Sequence, residues 1–194
     1  MLLIIDNQSQ YLRQFKRHYL DDRDIPHLII EHNEQIDFQR LPSISGLILS
    51  GGKGNPYEPL NLTTNYVAMM NLDVPTVGFC LGHEIIAVAY CAKIRRLHDY
   101  QSRKGRIIIT EVEDKIFDGI DKSEIFIQKK HRFHIPLPPP NFEVLAYSNV
   151  CPVEVMRHKE KPIYGFQGHP EVSGDDGMRI MSNFLSICGV SSEV

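Results

Sequence analysis

The stretch from Val74 to Glu84 is the feature that most restricts the fold of this chain. An apolar run, Val74 to Phe79, ends in the pattern Gly78-x-Cys80-x-Gly82, and an apolar helical pattern begins at once. Glycines on both sides of Cys80 predict a backbone bent so sharply that a Cβ would clash. Such a strand-to-helix turn pushes its central side chain out of the sheet edge, and the helix N-terminus favours a thiolate. The pattern therefore predicts an α/β sheet that carries Cys80 as a nucleophile.

The first half of the chain alternates between strand and helix patterns. Further short apolar runs predict strands at Leu2 to Ile5, His27 to Ile30 and Gly46 to Leu49. Helical patterns lie between them, at Gln10 to Leu20 and Thr63 to Leu72. This alternation predicts right-handed crossovers and a parallel sheet that is buried on both faces.

The pattern changes after Cys91. Short runs separated by turns predict antiparallel strands at Arg106 to Val112, Glu124 to Gln128, Val144 to Tyr147 and Pro152 to Arg157. The chain then returns to the main sheet through Ile163 to Gln167 and closes on a helix from about Asp176 to Ile187, with Asp175 or Asp176 as its N-cap. We therefore expect an open, mostly parallel sheet with helices on both faces and small antiparallel additions. Residues 1–189 are expected to form one domain, followed by a C-terminal tail at 190–194.

A nucleophilic thiol needs a base, and the segment after Ile163 to Gln167 provides one. His169 follows this predicted strand, and Glu171 lies two residues later. If the segment is extended, residues i and i+2 point the same way, so the carboxylate can hold the imidazole N–H that faces away from the cysteine. The sequence therefore predicts a triad of Cys80, His169 and Glu171.

The glycine-rich loop after Gly46 to Leu49 predicts a site for a developing oxyanion. A glycine can bring a bare backbone N–H close to a reacting carbonyl. The loop lacks the glycine and lysine spacing of a phosphate-binding loop, which argues against a mononucleotide site. We expect the N–H groups of Gly52 and Leu81 to be the two oxyanion donors.

Three of these segments resemble the class I glutamine amidotransferases, in which Cys, His and Glu release ammonia from glutamine. They are Leu49-Ser-Gly-Gly52, Gly78-Phe-Cys-Leu-Gly-His83 and Gln167-Gly-His-Pro-Glu-Val172. Within this family, the segments Cys151 to His158 and Pro162 to Gly165 most resemble the separately encoded glutaminase subunit of archaeal GMP synthetase.

The resemblance implies an enzyme that hydrolyses glutamine to glutamate and ammonia. It implies that the partner is a separate ATP pyrophosphatase subunit, which would use the ammonia, ATP and Mg to convert XMP to GMP. No cofactor or metal is expected in this chain. By family position, Gly51, Glu84, Lys130 and His131 are candidate substrate-binding residues. The family usually has Gln where this chain has Glu84, and Ser-His-x-Asp where it has Lys130 to Phe133.

Other functions fit the same residues. The chain could serve another pathway, such as anthranilate or carbamoyl phosphate synthesis, or act as a γ-glutamyl hydrolase. It could also be a regulatory binding module whose pocket is impaired by Glu84 and Lys130. The basic run Gln128 to His134 is either a solvated hairpin or a docking edge for an acidic partner surface.

Composition excludes several classes of protein. The chain has 194 residues, 42% of them hydrophobic and 23% charged, which is ordinary for a globular domain. A net charge of −3 argues against a nucleic-acid-binding protein. No basic leader or long apolar stretch opens the sequence, so we expect a cytoplasmic protein without membrane contact. The four cysteines lack CxxC spacing, which argues against zinc and disulfides, and Cys91 and Cys188 are expected in the core.

Overall fold

A computed structural model describes residues 1–110 and 113–190 of the chain. The strands in the described residues are β1 (Leu2–Asp6), β2 (His27–Glu31), β3 (Gly46–Leu49), β4 (Thr76–Phe79), β5 (Arg95–Gln101), β6 (Lys104–Ile109), β7 (Glu124–Gln128), β8 (His131–His134), β9 (Phe142–Tyr147), β10 (Val155–His158) and β11 (Ile163–Phe166). The α-helices are α1 (Leu12–Phe15), α2 (Thr63–Asn71), α3 (Leu81–Ala89) and α4 (Asp175–Ile187).

Nine of the strands form one sheet in the order β2-β1-β3-β4-β11-β10-β9-β6-β7. The pairs from β2 to β11 are parallel, and those from β11 to β7 are antiparallel. Strands β5 and β8 form a separate antiparallel pair. The predicted α/β class is confirmed, including the antiparallel additions. The two-stranded sheet was not predicted.

The large sheet is covered by helices on both faces. Side chains alternate along β1, so Leu2 and Ile4 pack into one hydrophobic core while Leu3 and Ile5 pack into another. The first core contains residues from α1 and α4, and the second contains residues from α2 and α3. Because β1 is buried on both sides, its sequence is a continuous apolar run, as is usual for a parallel strand.

Two details of the helices differ from prediction. The predicted helix Gln10 to Leu20 is a short α-helix that continues as a wider π-helical turn over Lys16–Leu20. The N-cap of α4 is Gly174, whose φ of +83° is accessible to glycine, whereas Asp175 and Asp176 lie in the first helical turn. Carboxylates in that turn still interact favourably with the helix dipole.

The expectation that Cys91 lies in the core is wrong. Cys91 is exposed just beyond the end of α3, where it has a left-handed φ of +67°. Cys188 is buried, as expected. The predicted tail at 190–194 lies, except for Val190, outside the described residues, as does the end of the predicted strand at Val112. No helix in the described part of the chain combines the length and apolar character needed to cross a bilayer.

Candidate active site

Cys80 occupies a strained turn between β4 and α3. Its φ and ψ are 49° and −102°, a conformation that L-residues rarely adopt. A Cβ added to Gly78 would lie 2.4 Å from the carbonyl carbon of Gly82, and one added to Gly82 would lie 2.2 Å from the Leu49 carbonyl oxygen. Both glycines are therefore required by close backbone approach, as the sequence predicted. Strain of this kind costs on the order of 1–3 kcal/mol and is typical of functional sites.

His169 and Glu171 form a buried pair. The His169 Nδ1 lies 2.8 Å from the Glu171 Oε1, and each side chain is about 95% buried. The argument from sequence assumed an extended backbone for this pairing, whereas Pro170–Val172 forms a single 3₁₀ turn. The turn still brings the carboxylate under the imidazole, so the pairing itself occurs as predicted.

The surroundings of His169 favour its protonated form. Burial alone would lower the pKa of His169, but the Glu171 carboxylate and the Cys80 side chain outweigh burial and raise it above its ordinary value. Since Nδ1 faces Glu171, the second ring nitrogen is the one that remains for Cys80. The sulfur also lies 3.6 Å from the Lys130 carbonyl oxygen, which fixes its direction.

Neighbouring strands bring the cysteine and the histidine together. Strands β4 and β11 are parallel and adjacent, so Cys80 and His169 leave the sheet at the same edge. Gly51, which follows β3, lies next to both side chains. A Cβ on Gly51 would lie 2.8 Å from the His169 Cε1 and 3.6 Å from the Cys80 Cβ. The space occupied by Gly51 therefore lies directly beside both groups.

The two predicted oxyanion donors are Leu81, which directly follows the pocket residue Cys80, and Gly52. Leu81 is the first residue of α3, where helix geometry leaves the backbone N–H without a partner. Gly52 lines the pocket, and among the described residues its N–H, like that of Leu81, donates no hydrogen bond. A Cβ on Gly52 would lie 2.2 Å from the Asn7 carbonyl oxygen, so only glycine fits.

A buried amide network supports the loop that carries Gly52. The side chains of Asn7 and Asn65 exchange two hydrogen bonds, at 3.0 and 2.8 Å. The Asn7 Nδ2 also donates to the Ser50 carbonyl oxygen at 2.9 Å, and its backbone N–H donates to the Ser50 Oγ at 2.8 Å. Helix α2, which carries Asn65, is thereby coupled to the oxyanion loop.

Three of the four candidate substrate-binding residues line the pocket with Cys80 and His169. The pocket has a volume of about 260 Å³ and is lined by Glu84, Lys130 and His131. The Lys130 side chain contacts Gln10 across the mouth. His131 is buried, and its Nδ1 lies 2.8 Å from the Phe133 carbonyl oxygen. Gly51 is not a wall of this pocket; it lies beside His169 and Cys80.

The basic run Gln128 to His134 is not a solvated hairpin. Lys129 is buried and paired with Glu154. His131 begins β8, whose partner is β5 rather than the preceding strand. The tertiary structure thus removes part of this run from solvent, since Lys129 is buried against Glu154 and His131 is buried at the pocket. Its role as a docking edge stays a prediction.

Sequence reasoning missed the residues that follow β1. Tyr11 lies edge-on to the His169 ring with centroids 4.7 Å apart, and Gln8, Ser9 and Gln10 line the pocket. The signal was available, since ligands bind at the carboxyl ends of parallel strands and β1 ends at Asp6. Gln167, which donates from Nε2 to the Glu84 Oε1 at 3.2 Å, was also missed as a site residue.

Known proteins resemble this chain over nearly its full length. The model of the family Glutamine amidotransferase class-I matches residues 3–188. A protein of Methanococcus aeolicus named as a glutamine-hydrolyzing GMP synthase subunit is 38% identical over 198 residues, with 100% of each chain covered. A protein of Pyrococcus abyssi with the same name is 35% identical, covering 97% of this chain and 99% of its own.

Solved structures resemble the fold as well. A Thermoplasma acidophilum protein provisionally described as a GMP synthase subunit superposes with a TM-score of 0.83 at 29% identity, covering 97% of this chain and 93% of its own. A glutamine amidotransferase from Thermotoga maritima superposes with a TM-score of 0.74 at 17% identity, covering 95% of this chain and 80% of its own. The second likeness concerns the fold alone.

Proposed function

Because this chain belongs to the class I glutamine amidotransferases, we propose that it is the glutamine-hydrolysing subunit of a GMP synthase. The name shared by its full-length relatives supports this assignment. The chain supplies ammonia to a separate ATP-dependent synthetase subunit that converts XMP to GMP. ATP and Mg are used by that partner, and this chain itself needs no cofactor. Residues 1–189 act as one amidotransferase domain, since its two cores draw on residues from Leu2 to Cys188.

The first chemical step forms a bond between the Cys80 sulfur and the side-chain carbonyl carbon of glutamine. Negative charge moves to the carbonyl oxygen, where the N–H groups of Gly52 and Leu81 stabilise it. Protonated His169 then gives its proton to the nitrogen, which leaves as ammonia while a γ-glutamyl thioester remains. The raised pKa of His169 suits this step, because the imidazole is already protonated at neutral pH.

The second step hydrolyses the thioester. Once the sulfur is acylated it carries no negative charge, and one of the causes that raise the pKa of His169 is gone. The neutral imidazole can then accept a proton from water, whose oxygen attacks the thioester carbon. Collapse of this second intermediate releases glutamate and returns the thiolate and the imidazolium. Glu171 holds the ring in one orientation throughout.

The convergence of Cys80 with the His169–Glu171 pair is the main support for this proposal. The strained cysteine turn and the buried His169–Glu171 pair meet at a single pocket, although Cys80 and His169 are 89 positions apart in the sequence. A structural cysteine has no need of a strained backbone, a buried acid–base pair or two unpaired N–H groups beside it. The same arrangement argues against a regulatory module with an impaired site.

The decisive test is the Cys80→Ala variant, assayed for glutamate release from glutamine with the synthetase partner and ATP present. We expect the rate to fall by at least about 10³-fold, since the nucleophile is lost. Cys91→Ala is the matched control, because Cys91 is exposed and away from the pocket, and it should keep wild-type activity. Glutamate release by Cys80→Ala at the wild-type rate would overturn the mechanism.

The pathway is tested by reconstitution. The chain is mixed with ATP and, in separate reactions, with the synthetase subunits for GMP, anthranilate and carbamoyl phosphate. We expect glutamine-dependent product formation only when XMP and the GMP synthetase subunit are present. Product formation with one of the other subunits instead would reassign the pathway and leave the glutaminase chemistry in place.

A further inference from the structure

Glu84 is a buried carboxyl group in the wall of the pocket. It lies one helical turn after Cys80, whose carbonyl oxygen accepts a hydrogen bond from the Glu84 N–H at 3.1 Å. Only 2% of Glu84 is exposed. Its Oε1 accepts a hydrogen bond from the Gln167 Nε2, while its Oε2 is buried without a partner among the described residues.

No described cation neutralises this carboxyl group. The ionisable side chains that surround it or share the pocket are Tyr11, Lys53, Glu58, Cys80, Tyr100, Lys130, His131, Arg132, Cys151 and His169. None of them forms an ion pair with Glu84 within the described residues, and Glu58 is itself acidic. Lys130 is exposed and contacts Gln10, and His169 is committed to Glu171.

A buried carboxylate without a counter-ion is unstable relative to its protonated form. Burial is the main cause that raises the pKa of Glu84, to about 8; the Gln167 hydrogen bond opposes this increase and the charge of Glu58 adds to it. The same imbalance follows from geometry alone, because among the described side chains a single neutral amide is the only hydrogen-bond donor in contact.

We propose that Glu84 binds glutamine as an uncharged carboxylic acid, with Oε1 accepting from Gln167 and Oε2–H donating to an oxygen of the substrate. This inference rests on the proposed function and deepens it. A protonated carboxyl group offers one donor and one acceptor on two adjacent atoms, as a primary amide does in the same plane. Glu84 can therefore take the place of a glutamine side chain without bringing a charge into the pocket.

Ionisation of Glu84 has a consequence that an amide would not have. When Glu84 loses its proton, the donor disappears and a negative charge faces the oxygen atoms of the bound substrate. Glutamine affinity should then fall as pH rises through the range in which Glu84 ionises, whereas a true amide at this position does not titrate.

The first experiment measures KM for glutamine from pH 6 to 9.5, with the synthetase partner present, for the wild type and for Glu84→Gln. Between pH 7 and 9 the wild-type KM should rise about tenfold, since the protonated fraction falls tenfold per unit above the pKa. The KM of Glu84→Gln should stay within about twofold across that range. In the Glu58→Gln variant the rise in KM should occur at lower pH than in the wild type, because the negative charge of Glu58 helps to raise the pKa of Glu84.

Coincident KM profiles for the wild type and Glu84→Gln, in an active glutaminase, would overturn the inference and leave the proposed function standing. Absence of glutamate release at every pH would overturn both.

A second measurement is independent of catalysis, namely the thermal midpoint of each protein from pH 5 to 8. Glu84→Gln should gain stability relative to the wild type as pH rises, because only the wild type must keep a proton that its unfolded chain has released. If the difference in thermal midpoint between the two proteins stayed constant with pH, Glu84 would be ionised in the folded state and the proposal would be wrong.

Discussion

The fit between Gly51 and the His169 ring predicts a large loss of activity for Gly51→Ala. The added Cβ would lie 2.8 Å from the His169 Cε1, whereas ordinary contact begins at 3.4 Å, so the ring must withdraw by about 0.6 Å. The backbone does not oppose the substitution, since Gly51 is not among the residues with positive φ.

Movement of the ring is restricted on its other sides. The His169 Nδ1 is bonded to Glu171, and the Tyr11 ring lies against the imidazole. A displacement therefore changes the distance between the second ring nitrogen and the Cys80 sulfur. Since a misplacement of about 1 Å can reduce rates about 10²-fold, we expect kcat for glutamine hydrolysis to fall about 10- to 100-fold.

The assay compares steady-state glutaminase rates of the wild type and Gly51→Ala and, in parallel, their thermal unfolding. The clash involves one side chain at the surface of the pocket, so the unfolding midpoint should fall by no more than about 2–8 °C, which corresponds to roughly 1–2 kcal/mol in a chain of this size. A variant with wild-type kcat would refute the argument that Gly51 holds the imidazole in register with the sulfur. Loss of folded protein would instead show that the space is required for stability.

Two further predictions concern neighbours of the site. Tyr11→Ala removes an edge-to-face contact with His169 worth about 0.5–1.5 kcal/mol, so kcat should fall about 2- to 10-fold. The kcat of Tyr11→Phe should stay near the wild-type value. If Tyr11→Phe were as slow as Tyr11→Ala in the same assay, the hydroxyl group and not the ring would be responsible. Burial, with a smaller effect from the positive charge of Lys129, lowers the pKa of His131 to about 4. Between pH 6.5 and 4 the unfolded chain therefore binds a proton that the folded chain does not, and His131 makes the free energy of unfolding fall as pH falls. In urea unfolding at several pH values, His131→Gln should be less sensitive to acid than the wild type by up to about 1.4 kcal/mol per pH unit; identical pH dependence would contradict the assignment.

Local patterns were sufficient wherever short-range physics decides the structure. The bounds of β3 and β7 match their apolar runs, and the glycines around Cys80 indicated a sharp turn because no other residue tolerates that backbone approach. Where a side chain depends on distant partners, the patterns failed. Cys91 was expected in the core and is exposed, because burial is a property of tertiary packing and cannot be inferred from its neighbours in sequence alone.

By itself, the sequence determined the order of the strands and α-helices of the main sheet, the site of the strained cysteine and the family to which the chain belongs. The elements and the cysteine turn depend on periodicity and glycine placement, which are properties of neighbouring residues, and the family follows from the resemblance of three short motifs. Only the tertiary structure decided that the segment after β1 lies against His169, that β8 pairs with β5, and that Glu84 is buried with no counter-ion among the described residues. Burial and partnership are set by residues far apart in the chain, so the state of an ionisable group cannot be read from its neighbours in sequence.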